Sequence, residues 1–341
     1  MRIDRNLLLL ALDSVSPGLS AREIIEQSSC IAFQGKQVLT YNDEIACRHE
    51  VELDIEGAVK AAPLLSILRK MQDNEIDVSL SENGDAFVIK GKGGRKTSLV
   101  LQQDVLLPVE HLEDPEEWEE LPTEFSEAIR SVADCASGDQ SMFVLTCIHI
   151  GAKFVETCDR HKMARRRIAL PVSGDICVRK NSLLPVCSLG VTEVSESDNW
   201  IHFRNKAGLI YSCRKSTDDY PDLNGFVSRK GPPATLPKGL GEAAERCAIF
   251  TADNPNGQEV MIELRKGKLR ISGEGAHGTH SEIKKLAYKG RSMRFLISPA
   301  TLKHVTDKYH DCMITDDKDE SFLVIRSGAL TFVTLLGLIT E

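Results

Sequence analysis

Hydrophobic and polar residues follow two periods along this chain, and the order of the two periods is repeated three times. Apolar residues at steps of three and four are typical of amphipathic helices. They predict a helix at the start of each third of the chain, over residues 6–15, 123–136 and 240–250. They predict a second helix later in each third, over residues 61–71, 181–189 and 299–309.

Alternation of apolar and polar residues fills most of the sequence between these helices and predicts β-strands. A hairpin with a glycine at its turn follows the first helix of each third, over residues 30–39, 147–155 and 261–269. A second hairpin is predicted over residues 76–89, 191–203 and 313–325, and a last strand over residues 98–101, 209–213 and 331–335. The predicted fold class is α+β, with two helices packed on antiparallel sheet in each repeat.

Each repeat covers about a third of the 341 residues and is long enough to have a core of its own. The predicted domains are residues 1–108, 119–228 and 236–341. Residues 104–120 hold eight acids and two prolines, and residues 228–239 hold three prolines. Both segments are interpreted as linkers, and the acidic run from Glu110 to Glu120 is expected to be solvated.

The composition excludes several classes of protein. With 42 % hydrophobic residues, 27 % charged residues and a net charge of −8, the chain is neither disordered nor a uniformly basic nucleic-acid binder, although a local basic surface remains compatible. No apolar run approaches the ~20 residues of a membrane-spanning helix, and the first residues do not resemble a signal peptide. Ten cysteines occur singly, which predicts reduced thiols in a cytoplasmic protein.

Four short segments resemble motifs of one known family. The segment Cys158-Asp159-Arg160-His161-Lys162-Met163-Ala164 resembles the family's Thr-Asp-Gly-His-Arg-Leu-Ala, and Val178-Arg179-Lys180 resembles an Arg-Lys pair that opens a helix. The segment Asp218-Asp219-Tyr220-Pro221-Asp222 resembles Gly-Arg-Phe-Pro-Asp-Tyr, and Arg246-Cys247-Ala248-Ile249-Phe250 resembles Arg-Ala-Ala-Ile-Leu. The family is that of the bacterial DNA sliding clamps, the beta subunits of DNA polymerase III, and the resemblance covers the whole chain.

Three features depart from that family. Arg160 stands where the family has glycine, and Gly225-Phe226 lies near the place of an Arg-Val pair. The ending Leu335-Leu336-Gly337-Leu338-Ile339-Thr340-Glu341 lacks the usual Met-Pro-Met-Arg-Leu. These departures indicate a divergent member, and a phage-borne clamp would fit them.

The resemblance implies a processivity factor without catalytic activity or cofactor, which encircles duplex DNA and tethers the replicative polymerase. Its chains would form a head-to-tail homodimer of six similar domains. Its partners would be duplex DNA, bound without sequence preference, and a polymerase and a clamp loader, bound through short peptide motifs. A trimeric ring of two-domain chains is a closer rival, but three repeats per chain favour the dimer.

The implied DNA contacts are basic residues of the helices, which would line the central hole, and of one loop. They are Arg22, Lys60, Arg69, Lys70, Arg130, Arg179, Lys180, Arg246 and Lys303, with Arg5, Lys238 and Lys308 as further candidates. Arg22 matches a position that contacts DNA in the family. Loose contacts between such residues and phosphates carry no sequence information and permit sliding.

The resemblance also implies two protein interfaces. The seam between subunits would bring Ile249 and Phe250 of the third domain against Ile67, Met71 and Leu99 of the first. A groove for partner peptides would be formed by Leu145, Cys158, Arg160, His161, Lys162, Met163, Pro221, Phe226, Val333 and Leu335. Arg160 adds bulk and positive charge at its mouth, which predicts a preference for peptides that carry an acid beside their apolar anchors.

Other chemistry has weaker support in the sequence. Cys147, His149, Cys158 and His161 could be drawn as a zinc site of a hydrolase or metalloenzyme, but Cys147 and His149 fall on a predicted strand, and a buried cysteine beside a histidine is the commoner arrangement. Asp159 and His161 have no accompanying nucleophile or carboxylate cluster. The run from Lys90 to Lys96 lacks the spacing of a phosphate-binding loop and is interpreted as a basic hairpin turn.

Overall fold

The computed structural model of the chain describes residues 1–109, 112–115, 117–253, 258–315 and 320–339. Its contacts divide the chain into two compact units. The first comprises Met1–Arg130, Cys147–Phe154 and Ile168–Asp219, and the second comprises Ser131–Thr146, Val155–Arg167 and Tyr220–Glu341. The division into domains at residues 1–108, 119–228 and 236–341 stays a prediction.

The helices are short, and their ends follow from the sequence. They are α1 (Arg5–Val15), α2 (Ala61–Lys70), α3 (Phe125–Ala133), α4 (Lys180–Leu183), α5 (Asn224–Val227), α6 (Leu240–Thr251) and α7 (Pro299–Lys308). Helix α1 begins after Asp4, whose carboxylate accepts hydrogen bonds from the backbone N–H groups of Asn6 and Leu7 at 2.7 and 3.1 Å. Helix α7 begins with proline, which suits the first turn because it needs no N–H donor there.

The helix predicted over residues 181–189 is correct only in its first part. Helix α4 ends at Leu183, and a 3-10 segment, Leu184–Ser188, continues from it. Pro185 lacks an N–H group, and its ring clashes with the preceding turn of an α-helix. The other five predicted helices are found within three residues of their predicted ends.

The strands account for most of the remaining chain. In the first half they are β1 (Arg2–Asp4), β2 (Cys30–Gln34), β3 (Gln37–Tyr41), β4 (Ile45–Glu50), β5 (Gly57–Lys60), β6 (Glu75–Leu80), β7 (Ala86–Lys90), β8 (Lys96–Gln102), β9 (Glu119–Glu120), β10 (Cys147–Gly151), β11 (Phe154–Cys158) and β12 (Lys162–Arg167). In the second half they are β13 (Ile176–Arg179), β14 (Val191–Glu196), β15 (Trp200–Asn205), β16 (Leu209–Arg214), β17 (Pro233–Thr235), β18 (Val260–Arg265), β19 (Lys268–Gly275), β20 (Gly278–Lys285), β21 (Ala287–Tyr288), β22 (Met293–Ile297), β23 (Asp311–Ile314), β24 (Ser321–Ser327) and β25 (Leu330–Leu338).

Twelve strands of the first unit form one antiparallel sheet, in the order β1-β6-β7-β8-β5-β2-β3-β4-β16-β15-β14-β9. The sheet crosses from the first repeat to the second where β4 pairs with β16, with Tyr211 opposite Cys47. Arg214 makes two contacts at the junction of the repeats. Its guanidinium donates a hydrogen bond to the Asp43 carboxylate at 2.7 Å, and it lies 4.8 Å from the centroid of the Trp200 ring. Strands β10 and β13 form a further antiparallel pair in this unit.

Helices α1 and α2 cover this sheet with one face each. Leu8 and Leu12 of α1 and Leu64 and Leu68 of α2 are buried. The opposite face of α1 leaves Leu7 and Leu10 exposed, at 65 and 61 %. The packed faces explain the helical periodicity of the sequence, whereas the two exposed leucines are not needed for the core.

In the second unit, β25 pairs with three strands: β12, β22 and β24. The sheet continues from β22 through β18 and β19 to β20. Helix α6 packs closely on β19, because a methyl group added at Gly273 would lie only 2.1 Å from the carbonyl oxygen of Cys247. A glycine at this position therefore sets the distance between helix and sheet.

The expectation that the acidic segment is solvated agrees with the exposure of Asp114, Glu117, Glu119 and Glu120 but is wrong for Leu112; Glu110, His111 and Glu116 lie outside the described residues. Leu112 is buried in the core around Trp200, and the Asp114 carboxylate lies 2.7 Å from the Arg48 guanidinium. The Trp118 ring lies 4.4 Å under the guanidinium of Arg204. Leu112, Asp114 and Trp118 therefore have partners in the first unit, which the charge pattern of the segment alone does not reveal.

Candidate functional site

A cavity of 370 Å³ opens in the second unit between the β11–β12 turn, the segment around Pro221 and strands β24 and β25. Its apolar floor belongs to a cluster that includes Leu145, Met163, Phe322 and Val333, all of them buried. Met163 and Val333 are direct neighbours across the β12–β25 pairing. The floor is thus made by paired strands, which keep its shape fixed.

The turn at the mouth of the cavity is held by Asp159. Its carboxylate accepts hydrogen bonds from the backbone N–H groups of His161 and Lys162, both at 2.7 Å, and pairs with the Lys162 ammonium at 2.8 Å. Such turns are characteristic of aspartate. The carbonyl oxygen of His161 in turn accepts from the Leu335 N–H at 2.7 Å. The turn is therefore anchored at both sides, and Arg160 at its tip is exposed.

Aromatic side chains form the opposite wall. The rings of Phe226 and Phe322 meet edge to face, with centroids 5.7 Å apart. The Arg229 guanidinium covers both rings, 3.9 Å from the Phe322 centroid and 5.3 Å from the Phe226 centroid. Cation–π contacts of this kind stabilise the positions of the rings. Tyr220 packs against the cluster that forms the floor, and burial raises the pKa of its phenol well above the ordinary value.

All ten residues predicted for the peptide groove lie around this one cavity: Leu145, Cys158, Arg160, His161, Lys162, Met163, Pro221, Phe226, Val333 and Leu335. Six further lining residues were not predicted: Met142, Asp159, Asp222, Leu223, Glu320 and Phe322. Phe322 has a sequence signal, since it opens the apolar run of a predicted strand. Leu223 and Met142 lie in irregular segments, where the sequence pattern carries no such signal.

The rim of the cavity has an uneven charge. Lys162 is neutralised by Asp159. Arg160 has no carboxylate within 4 Å among the described residues; its Nε lies 3.0 Å from the Met142 sulfur instead. Burial raises the pKa of the Cys158 thiol in the wall, which disfavours the reactive thiolate. The cavity therefore combines an apolar floor with a rim that carries the exposed Arg160 guanidinium and the carboxylates of Asp222 and Glu320, which suits binding.

Most of the predicted DNA contacts are engaged with acids. Ion pairs join Lys60 to Glu23, Arg69 to Asp13, Arg179 to Glu44, Arg246 to Glu282 and Lys303 to Glu245. Arg130 donates to the carbonyl oxygen of Cys187 at 2.5 Å. Arg22 and Lys70 are exposed, and Lys180 is half-buried at the start of α4. The hydrogen bond from Arg246 holds the pKa of Glu282 at about 2, so this acid stays charged and compensates the arginine.

The five residues predicted for a subunit seam differ in exposure. Ile249 is 72 % exposed near the end of α6, and Phe250 beside it is half-buried, with its ring stacked on His280 at 6.1 Å. Met71 is buried, whereas Ile67 and Leu99 are half-buried. Ile249 is therefore the seam residue with the largest exposed apolar surface.

Among the described residues, no three His, Cys, Asp or Glu side chains are grouped so that they could hold a metal ion. Cys147 is buried on β10, and the Nε2 atom of His149 lies 3.4 Å from the Asp175 carboxylate. None of the ten cysteines forms a disulfide, and all ten are buried. No helix in the described ranges has both the length and the apolar character to cross a membrane.

Solved structures provide the comparison that identifies the fold. A Pseudomonas aeruginosa sliding clamp bound to griselimycin matches with a TM-score of 0.83 and 15 % identity over 98 % of both chains. The Streptococcus pneumoniae beta chain of DNA polymerase III matches with a TM-score of 0.83 and 17 % identity, over 100 % of this chain and 99 % of that one. The Thermotoga maritima beta subunit of DNA polymerase III matches with a TM-score of 0.81 and 13 % identity, over 99 % of both chains. This chain has the fold of a bacterial sliding clamp.

The clamp fold accounts for the threefold order of helices and hairpins, and it confirms the predicted α+β class over the whole chain. The match is structural only. No family model matches the sequence, and the search of curated proteins found no match either. At these identities the likeness is evidence for the fold, and the functional conclusion needs the site as well.

Proposed function

We propose that this protein is a sliding clamp, a non-catalytic processivity factor that encircles duplex DNA and tethers a replicative polymerase. The observation that carries the proposal is the extent of the structural match, which covers at least 98 % of both chains for several clamps. Bacterial DNA is replicated in the cytoplasm, so the cytoplasm is the expected location of this protein.

The ring would be a head-to-tail homodimer of three-domain chains, with six similar domains. Two open strand edges support this assembly. Among the described residues, β20 pairs only with β19, and Lys96–Val100 of β8 pairs only with β7. Exposed apolar residues accompany both edges, with Val100 79 % exposed and Ile283 67 % exposed. Open edges invite pairing with another chain, and a heterologous contact of this kind can close into a ring.

DNA would be held by charge and topology. The basic residues of the helices and Arg22 are the proposed contacts, and their ion pairs with acids weaken each contact without removing it. Phosphate contacts of this strength suit sliding, because none of them fixes the register of the duplex. Binding to DNA should therefore be independent of sequence and should fall steeply with salt.

The 370 Å³ cavity is the proposed site for partner peptides, such as the tails of a polymerase and a clamp loader. Its buried floor of Leu145, Met163 and Val333 can receive apolar anchors, and anchors of this kind dominate the affinity of peptide complexes. One shared pocket would let partners replace each other in turn.

The test of the clamp proposal is topological. The protein is incubated with a linear duplex that carries biotin at both ends, the ends are then blocked with streptavidin, and salt is raised. A clamp should stay on the blocked duplex and leave when the duplex is cut between the blocks. Equal loss from blocked and open duplexes, or retention that depends on base sequence, would contradict the proposal.

No observation favours the alternative of a three-domain hydrolase or metalloenzyme that uses Cys147, His149, Cys158 and His161. Metal analysis of the purified protein separates the two proposals. The clamp proposal expects no stoichiometric zinc, whereas one zinc ion per chain that is lost on replacing Cys158 would support the enzyme.

A further inference from the structure

A second groove in the second unit has no role so far, apart from its residue Lys238, which is a further candidate for a DNA contact. It has a volume of 680 Å³ and is lined by Thr235, Leu236, Pro237, Lys238, Gly267, Lys268, Lys285, Leu286 and Ala287. Three of the nine lining residues are lysines and none is acidic, in a chain whose net charge is −8. We call this surface the lysine groove.

Strand pairing brings the three lysines together. Lys268 and Lys285 lie directly opposite each other on β19 and β20. The pairing of Thr235 with Ala287 places the start of the Leu236–Lys238 segment beside the end of β20. The backbone N–H of Leu286 donates to the carbonyl oxygen of Gly267 at 3.1 Å, which ties the corner of the hairpin to the groove.

The charges of the groove are uncompensated. Lys238, Lys268 and Lys285 are exposed and have no carboxylate within 4 Å in the part of the chain that the structure describes. The neighbouring Lys284, by contrast, lies 3.5 Å from Glu282. Two like charges directly opposite across strands destabilise a sheet. An anion bound between Lys268 and Lys285 would remove that repulsion.

The chemistry of the groove points to a phosphate chain. We propose that the lysine groove binds the phosphodiester backbone of a nucleic-acid strand, with the half-buried Pro237 beside the sugars. Lysine supplies a point charge without the planar fork of arginine, and no aromatic side chain that could stack on a base lines the groove. Binding is therefore independent of sequence. The inference rests on the proposed function only in naming nucleic acid as the polyanion.

The test uses the full chain and a short fluorescein-labelled oligothymidylate, whose affinity is measured by anisotropy over a range of salt concentrations. Replacing both Lys268→Gln and Lys285→Gln removes two charges from exposed positions and keeps polar side chains that are one atom shorter. The slope of log affinity against log salt should become shallower by about 1.4, since a single strand releases about 0.7 counterion per phosphate neutralised.

A matched control is available in the first unit. Lys90 and Lys96 also face each other across two strands, so Lys90→Gln with Lys96→Gln makes the same change in net charge and removes the same kind of repulsion. The control should keep the slope of the natural protein. An unchanged slope in the groove variant, or an equal change in both variants, would overturn the proposal.

Two further outcomes separate this inference from its alternatives. A labelled oligoglutamate that binds as tightly as the oligothymidylate, and loses affinity equally in the groove variant, would assign the groove to acidic proteins and overturn the nucleic-acid proposal. If the natural protein is not retained on the blocked duplex but the slope still depends on Lys268 and Lys285, the groove stands and the ring proposal fails.

Discussion

The phenolic oxygen of Tyr220 accepts a hydrogen bond from the backbone N–H of Cys158 at 2.8 Å. This bond joins the segment that carries Pro221 to the end of β11, so two walls of the peptide cavity are connected by one hydroxyl group. The same hydroxyl lies 3.5 Å from the Cys158 sulfur. The shape of the cavity therefore depends in part on a polar contact beside an apolar cluster.

Tyr220→Phe should remove that contact and leave the Cys158 N–H without its partner. An unsatisfied buried N–H group costs about 1–3 kcal/mol. We expect the free energy of unfolding in urea to fall by about 1 kcal/mol, and peptide affinity to fall as well because the wall at Pro221 loosens. Equal stability and equal affinity would show that the hydroxyl does not hold the wall.

Met163→Ala should weaken the binding of an apolar polymerase-tail peptide. Met163 is buried in the floor of the cavity and pairs with Val333, and loss of a central apolar anchor costs roughly 2 kcal/mol or more. Calorimetric titration of one peptide against both proteins gives the comparison. The proposed site is wrong if the peptide binds both equally well or protects a different surface.

Arg160→Gly should alter which peptides bind. Arg160 is an exposed cation at the mouth with no ion pair among the described residues, so its loss should weaken the binding of peptides with an acid next to their apolar anchors and leave that of uncharged analogues little changed. The preference for the acid should fall about fivefold, the value of a charge contact worth roughly 1 kcal/mol at an exposed site. Lys162→Gly is unsuitable as a control, because Lys162 is paired with Asp159; Lys153→Gly, at an exposed lysine, is preferable.

Replacing Ile249→Ala together with Phe250→Ala should yield monomers at low micromolar concentration. Ile249 is the most exposed apolar residue of the predicted seam, and exposed apolar surface of this kind is typical of interfaces. The matched control is Leu7→Ala with Leu10→Ala, since these leucines are similarly exposed on α1. Solution mass by light scattering decides: a seam variant that stays dimeric would disprove the placement.

Acid should destabilise the first unit through His202. Its ring is fully buried between Ser197 and Ser212, at 2.9 and 2.8 Å, and burial, with a smaller contribution from Arg48, lowers its pKa from 6.5 to about 4. Glu113 and Asp114 act in the opposite direction. The pKa of His202 is lower in the folded than in the unfolded state, so the neutral ring makes its full contribution to the free energy of unfolding above pH 6.5. That contribution is lost as the pH falls towards 4, and it amounts to about 3 kcal/mol.

The measurement is urea denaturation at several pH values between neutral and pH 5. His202→Gln removes this titration, so its stability should change less with pH than that of the natural protein, whatever its stability at neutral pH. His277→Gln, at an exposed histidine, controls for the loss of one imidazole. Identical pH dependence in the His202 variant and the natural protein would exclude His202 as the source.

The helices and the glycine-turn hairpins were predictable because their signals are local. Gly35 and Gly267 adopt positive φ angles of 59 and 75°, as tight turns between strands require. Strand β20 was not predicted, because most of its side chains are exposed and polar and give no alternation. The pairing of β4 with β16 was also beyond the sequence, since it joins segments distant in the chain.

The site was predictable in a different way. The ten cavity residues came from resemblance to short motifs, and the strand pairing that assembles them, such as Met163 with Val333, has no local signal. The ion pairs of the basic residues were missed for the same reason. Lys60 and Glu23, or Arg246 and Glu282, are far apart in sequence, and periodicity gives no distance between them.

The burial of all ten cysteines makes the chain well suited to spectroscopy. Burial raises the pKa of Cys47, Cys135 and Cys312 to about 12, and it is the thiolate that reacts with maleimides. A single cysteine introduced at an exposed position such as Lys153 should therefore be labelled much faster than any natural thiol. One fluorophore per chain could then be attached without first removing ten core residues, and energy transfer between labelled chains could follow the opening of a ring in real time.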